Sequence, residues 1–332
     1  MSSRDLIVLG ASAGGVHALQ TVVSALPAGL PAAVLAVQHI GAHPSMLPAL
    51  LNQAGPLPAT HASHGERYRT GHIYVAPPDR HLMVDDDRLT LSDGPKENFA
   101  RPSIDALFRS AAVAAGPRVI GAILTGRLED GVVGLAAVKV CGGLALVQDP
   151  REAMAPSMPE NALRSVDVDF VLPLGELGAM LGRLAGTPAG TAPIRIPDHI
   201  MLENTMTASG DRPLEDMDRI GRISAFTCPE CHGTLWQLSD RQPLRYRCHT
   251  GHAFSAASLA QGLSRHVEDT MWSAIRALHE KQALFRKLAL HYGGGGDAAA
   301  AASYERAARE AGDAAAQIQG ILRGRDHEAA SE

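Results

Sequence analysis

Short apolar runs recur along the first half of the chain, each bounded by small or polar residues: "LIVLGAS", "AAVLAVQHI", "GHIYVAPP", "HLMVDDDRLTLS", "VIGAILTG", "GLALVQDP" and "DFVLPL". Apolar runs of roughly four to eight residues have the length of buried strands. Between them, segments 15–26, 45–54, 103–115 and 131–141 read as helices. Buried strands alternating with helices predict an α/β fold with a doubly wound, mostly parallel sheet. A hairpin over 72–92 interrupts the alternation.

The pattern breaks at "RLAGTPAGTAPIRIP", where Gly, Pro and Thr replace periodic apolar residues. This divides the chain into an α/β domain at 1–186, a linker at 187–222, a small cysteine-bearing module at 223–255 and a helical extension at 256–325. In the extension Leu259, Leu263, Val267, Met271, Ile275 and Leu278 share one helix face, which reads as intramolecular packing. "GGGGD" at 293–297 separates that helix from an Ala-rich one.

Composition removes several function classes. A net charge of -5 supplies no basic field for nucleic acid or membrane surfaces, so neither is expected as a partner. No stretch approaches the roughly 20 apolar residues of a membrane span, and "MSSRDLIVLGAS" is too short for a signal peptide. A cytoplasmic protein is expected. Of the four cysteines, Cys228, Cys231 and Cys248 cluster, which suits a metal site better than a disulfide framework. Cys141, alone on a predicted helix, reads as a small buried apolar residue.

"VLGASAGG" at 8–15 ends the first strand in small residues around one hydroxyl, Ser12. A dinucleotide-binding turn needs a second glycine where Ser12 stands and a carboxylate about 20 residues on. No Asp or Glu occurs between Leu6 and Gly65, and no lysine is there to complete a phosphate loop. A nucleophile fits better: a serine on a sharp strand-to-helix turn presents its Oγ at the carboxyl edge of a sheet. Gly10, Gly14 and Gly15 give the backbone freedom, and the helix N-terminus behind them favours an oxyanion. The plainer reading of Ser12 is a helix N-cap.

A nucleophilic serine needs a base, and the base an orienting acid. His39 ends the second strand in "VLAVQHI" and so reaches the same sheet edge, whereas His17 lies one turn into the first helix, facing solvent or sheet. The acid comes from "VIGAILTGRLEDGVVG", where Glu129 and Asp130 follow another buried strand. Either could meet a histidine Nδ1–H; the plainer role is an N-cap for the helix starting near Gly131.

"CPECHGTLWQLSDRQPLRYRCHTGH" has C-x2-C, sixteen residues, then C-x3-H, the spacing of a zinc ribbon. Cys228, Cys231 and Cys248 are ligands on this reading. His252 is the fourth, since His249 directly follows Cys248 and would have to bend back sharply. Four protein ligands leave no open position, so a structural Zn2+ is expected.

Taken together, "GASAGG", "VQHI" and "LTGRLEDG" resemble the GxSxGG turn, second-strand histidine and TGMGxDG segment of the chemotaxis protein-glutamate methylesterases, the CheB family. The resemblance runs from residue 4 to about 185 and includes "VAPPDRHL", "ARPSIDALFRSAA" and "ALVQDPREAMAPSMPENAL". It implies Ser12 as nucleophile, His39 as base and Asp130, rather than Glu129, as orienting acid, with no catalytic cofactor. Backbone N–H groups of Ala13 and Arg127 are the candidates for the oxyanion. It also implies hydrolysis of glutamate γ-methyl esters, and deamidation of glutamine, on methylated chemoreceptor-like proteins. A sensor kinase or methyltransferase of the same pathway would be a further partner. The family's receiver domain is expected to be missing. Ala13 stands where the family has Thr, and Arg127-Leu128 where it has Met-Gly. A catalytically weak signalling adaptor, binding chemoreceptor or sensor-kinase partners, is the alternative.

Overall fold

The computed structural model describes residues 2–40, 43–190, 195–209, 214–239 and 243–329. In chain order the elements begin β1 (Leu6–Ala11), α1 (Gly15–Ser24), β2 (Ala33–Gln38), α2 (Leu47–Ala54), β3 (Ala59–His61) and β4 (Ile73–Val75). Then come β5 (His81–Asp85), β6 (Arg88–Ser92), α3 (Ile104–Ala115), β7 (Val119–Ile123), α4 (Val132–Val140), β8 (Leu144–Gln148), α5 (Ser157–Ser165), β9 (Phe170–Leu172) and α6 (Leu174–Leu184). The rest holds α7 (Asp198–Ser209), α8 (Leu214–Ile220), β10 (Gly221–Thr227), β11 (Thr234–Leu238), β12 (Arg245–Cys248), β13 (Ala253–Ser255), α9 (Ala256–Gly294) and α10 (Ala298–Ala329).

Seven strands form one sheet in the order β3-β4-β2-β1-β7-β8-β9, and every neighbouring pair is parallel. The uninterrupted apolar sequence of β1 follows from burial on both faces. Its successive side chains face opposite layers. Leu6 and Val8 join one core with Phe108 of α3 and Leu135 of α4. Ile7, Leu9 and Ala11 join the other with Leu19 of α1, Leu51 of α2 and Leu181 of α6. Full burial of each large side chain is worth about 2 kcal/mol, so β1 is fixed from both sides. Because β2 lies on one side of β1 and β7 on the other, chain order reverses there. Open α/β sheets place their sites at such a point, outside the carboxyl ends of the strands.

Two expectations need correcting. The hairpin is β5–β6, His81 to Ser92, shorter than 72–92, because Ile73–Val75 pairs with β2 and β3 in the main sheet. The segment read as a linker, 187–222, carries α7 and α8, although 191–194 and 210–213 lie outside the described residues. Apolar periodicity does not reveal α7, since its buried residues include Glu203 and Thr207 beside Ile200 and Met206.

Those polar residues belong to a buried ionic cluster. Glu203 receives two bonds from Arg245, at 2.8 and 2.9 Å, and one from Arg247 at 3.1 Å. Glu97 receives bonds from Arg109 at 2.7 and 3.1 Å and from Arg247 at 3.1 Å. The cluster joins the α/β layers to the second sheet, whose strands run in the order β10-β11-β12-β13. Residues Met1–Leu259 form one compact unit and Ala260–Glu332 a second. Within the second, Phe285 packs on Tyr304 with ring centroids 5.8 Å apart, and Ala308, Ala311 and Ala315 are buried.

Candidate active site

Ser12 leaves β1 at the sheet's carboxyl edge and does not cap α1, whose N-cap is Gly14 in the left-handed region at φ 77°. A side chain at position 14 would be strained, and its Cβ would also stand 2.7 Å from the Met154 sulfur. Gly15 is required for space: a Cβ there would lie 2.0 Å from Gln38 Oε1. The turn is braced on two sides. Gln38 Nε2 donates to the Ser12 carbonyl at 2.8 Å, and Thr125 Oγ1 donates to the Ala13 carbonyl at 2.9 Å. The Ser12 N–H is itself spent on the Thr125 carbonyl at 3.0 Å.

Three strand ends meet here. His39 Nδ1 lies 3.1 Å from Ser12 Oγ, and His39 Nε2 lies 2.7 Å from Asp130 Oδ2. The expectation that a carboxylate meets Nδ1 is therefore reversed. β1 lies between β2 and β7, so the nearer ring nitrogen faces the adjacent serine and the farther one reaches the loop after β7. With Nε2 bearing the proton shared with Asp130, Nδ1 presents its lone pair to the hydroxyl. His17 is exposed on α1, and among the described contacts Glu129 makes none with His39.

Asp130 sits at the N-terminus of α3. Its Oδ2 also accepts from the Ile104 N–H at 2.7 Å, and its Oδ1 from Ser103 Oγ at 2.8 Å. Burial opposes ionisation, but the His39 bond and charge, with the Ile104 and Ser103 donors, hold this carboxyl below its ordinary value. Beside it, burial and then the charge of Asp130 push the Asp105 carboxyl well above its ordinary value. Neighbouring acids are thus driven apart, with Asp130 kept as the carboxylate.

The backbone N–H groups of Ala13 and Arg127 have no hydrogen-bond partner among the described residues. The next N–H, of Leu128, is taken by Ser157 Oγ at 3.1 Å. The Arg127 and Met154 side chains are exposed. A cavity of about 350 Å³ opens beside His39, lined by Asp79, Lys96, Phe99 and Arg101 among others. Gln38, Thr125, Ser103 and Asn98 support this site, and the sequence reading missed all four. Gln38, Thr125 and Ser103 stand inside "VQHI", "LTG" and "RPSID", at the quoted strand and helix ends, and are the three that motif context points to.

Away from the sheet edge, Cys228, Cys231, Cys248 and His252 bring their ligand atoms within 4.8 Å of one another. The Cys231 and Cys248 sulfurs are 3.6 Å apart, and His252 Nδ1 lies 3.6 Å from Cys248 Sγ and 3.8 Å from Cys228 Sγ. A tetrahedral ion with metal–sulfur bonds of about 2.3 Å has edges of roughly 3.8 Å, so these residues fit a metal ion. His249 is turned against Gly233 and Trp236. Cys141 is fully buried, and burial pushes its thiol up to about 11.

A serine, an imidazole and a carboxylate linked in sequence at the switch point of a parallel α/β sheet have the arrangement of serine hydrolases. The CheB methylesterase family model matches residues 7–181, and the chain belongs to that family. A relative from Leptospira interrogans is 39% identical over 186 residues, covering 54% of this chain and 94% of its own. A protein-glutamate methylesterase/protein-glutamine glutaminase from Geobacter metallireducens is 39% identical over 181 residues, but the match spans only 50% of that protein. The crystal structure of the Thermotoga maritima CheB methylesterase catalytic domain superposes with a TM-score of 0.53 at 29% identity, covering 56% of this chain and all of that one.

Proposed function

We propose that the protein is a protein-glutamate methylesterase and glutamine deamidase acting on methylated chemoreceptors in the cytoplasm. The observation that carries this reading is the continuous Ser12–His39–Asp130 contact, 3.1 and 2.7 Å, at the carboxyl edge of the sheet. Ser12 Oγ attacks the γ-carbonyl carbon while its proton passes to His39 Nδ1. Asp130, holding Nε2–H, fixes the tautomer and stabilises the imidazolium. The tetrahedral oxyanion accepts hydrogen bonds from the Ala13 and Arg127 N–H groups, each worth about 3 kcal/mol in such sites. His39 returns the proton to the leaving oxygen and methanol departs, leaving an acyl ester on Ser12. A water activated by His39 then releases the glutamate carboxylate and the serine. With a glutamine side chain the leaving group is ammonia and the other steps are the same.

No step calls on a cofactor. In the C-terminal module Cys228, Cys231, Cys248 and His252 hold a structural zinc ion, which completes a small sheet with little core of its own. A fluorophosphonate probe tests the nucleophile: the wild-type chain should be labelled on Ser12, and labelling retained in Ser12→Ala would overturn the assignment.

A further inference from the structure

Asn98 stands between the site's carboxylates and the C-terminal module. Its Nδ2 donates to Asp105 Oδ2 at 3.1 Å and to Asp130 Oδ1 at 3.4 Å. Its Oδ1 accepts from the Ser255 N–H at 2.9 Å and from Ser258 Oγ at 2.8 Å. An amide has one donor end and one acceptor end. With oxygens of two acid groups accepting on one side and two donors on the other, the amide is oriented with Nδ2 towards the acids and Oδ1 towards the serines.

The backbone here is held just as firmly. Asn98 and Phe99 are consecutive non-glycine residues in the left-handed region, at φ 51° and 63°. Such residues persist only where their surroundings impose the conformation, and they gather at functional sites. The surroundings are β13. The Asn98 N–H donates to the Ala253 carbonyl at 2.8 Å, the Ala253 N–H returns a bond to the Lys96 carbonyl at 3.3 Å, and Phe99 packs on Phe254 with centroids 5.0 Å apart. Below, Glu97 is tied to Arg247 of β12.

The same strand leads straight to the cysteine cluster. β12 ends at Cys248, His252 immediately precedes β13, and the Cys248 N–H bonds the His252 carbonyl at 2.9 Å. Metal ligands therefore bracket the turn whose next residues grip Asn98.

The geometry points to Asn98 as a positioning residue for the Ser12–His39–Asp130 relay, set in place by the C-terminal module through Ser255 and Ser258, so that the esterase site is complete only with the module docked. This rests on the esterase reading. The Ile104 and Ser103 donors to Asp130 come from the α/β domain itself, whereas Asn98 is the donor whose orientation the module controls. Its two amide hydrogens serve two adjacent acid groups. Without them Asp130 loses one of the bonds that keep Oδ2 aimed at His39 Nε2.

The test uses the full chain in four variants, following kcat and KM for a methylated receptor and the proton resonance of His39 Nε2–H. Ser258→Ala should lower kcat about tenfold with KM unchanged, as small misplacements do. Ser258→Thr, which keeps the hydroxyl, should restore it. Asn98→Ala should move the Nε2–H resonance, and Asn98→Asp, which replaces the donor with a further acid group beside Asp130 and Asp105, should cost about a hundredfold or more in kcat. Removing the metal with a chelator should move the same resonance, and zinc should return it. If Ser258→Ala and Asn98→Ala keep kcat within twofold and leave the resonance in place, the inference is wrong. A wild-type chain with no esterase activity would sink the functional reading instead. The resonance in Asn98→Ala would then still decide this one, supporting it if moved and overturning it if not.

Discussion

His39 approaches Ser12 through Nδ1, at 3.1 Å, and gives its outer nitrogen to Asp130. The order of strands accounts for this. The serine belongs to the central strand and the acid to the loop beyond it, so the ring bridges from one to the other by its full width. In the proposed mechanism the proton therefore sits on Nε2, and Asp130 is the group that keeps it there.

Asp130→Asn tests that role. An amide at 130 cannot accept at both oxygens from His39, Ile104 and Ser103, and its NH2 group would favour the wrong imidazole tautomer. The expected loss in kcat is about a thousandfold or more, with KM little changed, by analogy with the same substitution in other triads. A loss under tenfold would show that the acid does not fix the tautomer.

Acid should weaken the fold through the buried ions. Burial works against the Glu203 carboxylate, but Arg245 and Arg247 outweigh it and bring the group from 4.5 to about 2. Glu97, with Arg109 and Arg247, is held well below the same ordinary value despite its burial. Because these folded-state values are depressed, the unfolded chain binds more protons in this window. Their stabilisation is complete above pH ~4.5 and declines as the pH falls towards ~2. Thermal melting across that range should show a decline that is shallower in Glu203→Gln. A wild-type melting temperature independent of pH there would contradict it.

Which of these features could be read from the chain depends on how far apart their residues lie. The parallel sheet and the strand ends follow from local apolar runs; Ser12 and His39 each close such a run, and Asp130 lies in the polar turn that follows a third. The partner of each histidine nitrogen does not follow, because it depends on β1 lying between β2 and β7. α7 was hidden because it buries Glu203 and Thr207 against arginines about 40 residues or more away in sequence. Asn98 was hidden more completely, since it joins Asp130 to Ser255 and Ser258, and its own surroundings "KENFARP" carry no periodic pattern.

The turn at Ser12 should be intolerant of volume. Gly15→Ala drives a methyl group into Gln38 Oε1 and to 2.6 Å from the Ala11 Cβ, displacing the brace on the Ser12 carbonyl. Overpacking of this kind costs about 1–3 kcal/mol, read as a lowered melting temperature, with a matching loss of activity. Gly29→Ala, where a Cβ meets nothing within 4 Å, is the control and should change neither.

Cys228→Ser should leave the purified chain with less than one equivalent of zinc, measured by elemental analysis, and should lower thermal stability. Zinc content equal to wild type would remove Cys228 from the ligand set.

Methanol release from a methylated chemoreceptor, followed for wild type and Ser12→Ala side by side, tests the central claim most directly. Wild type should release methanol in step with the loss of receptor methyl groups, and Ser12→Ala should be slower by about a thousandfold or more. Equal rates from the two proteins, or no release from wild type, would contradict the assignment of Ser12 as the nucleophile of a methylesterase.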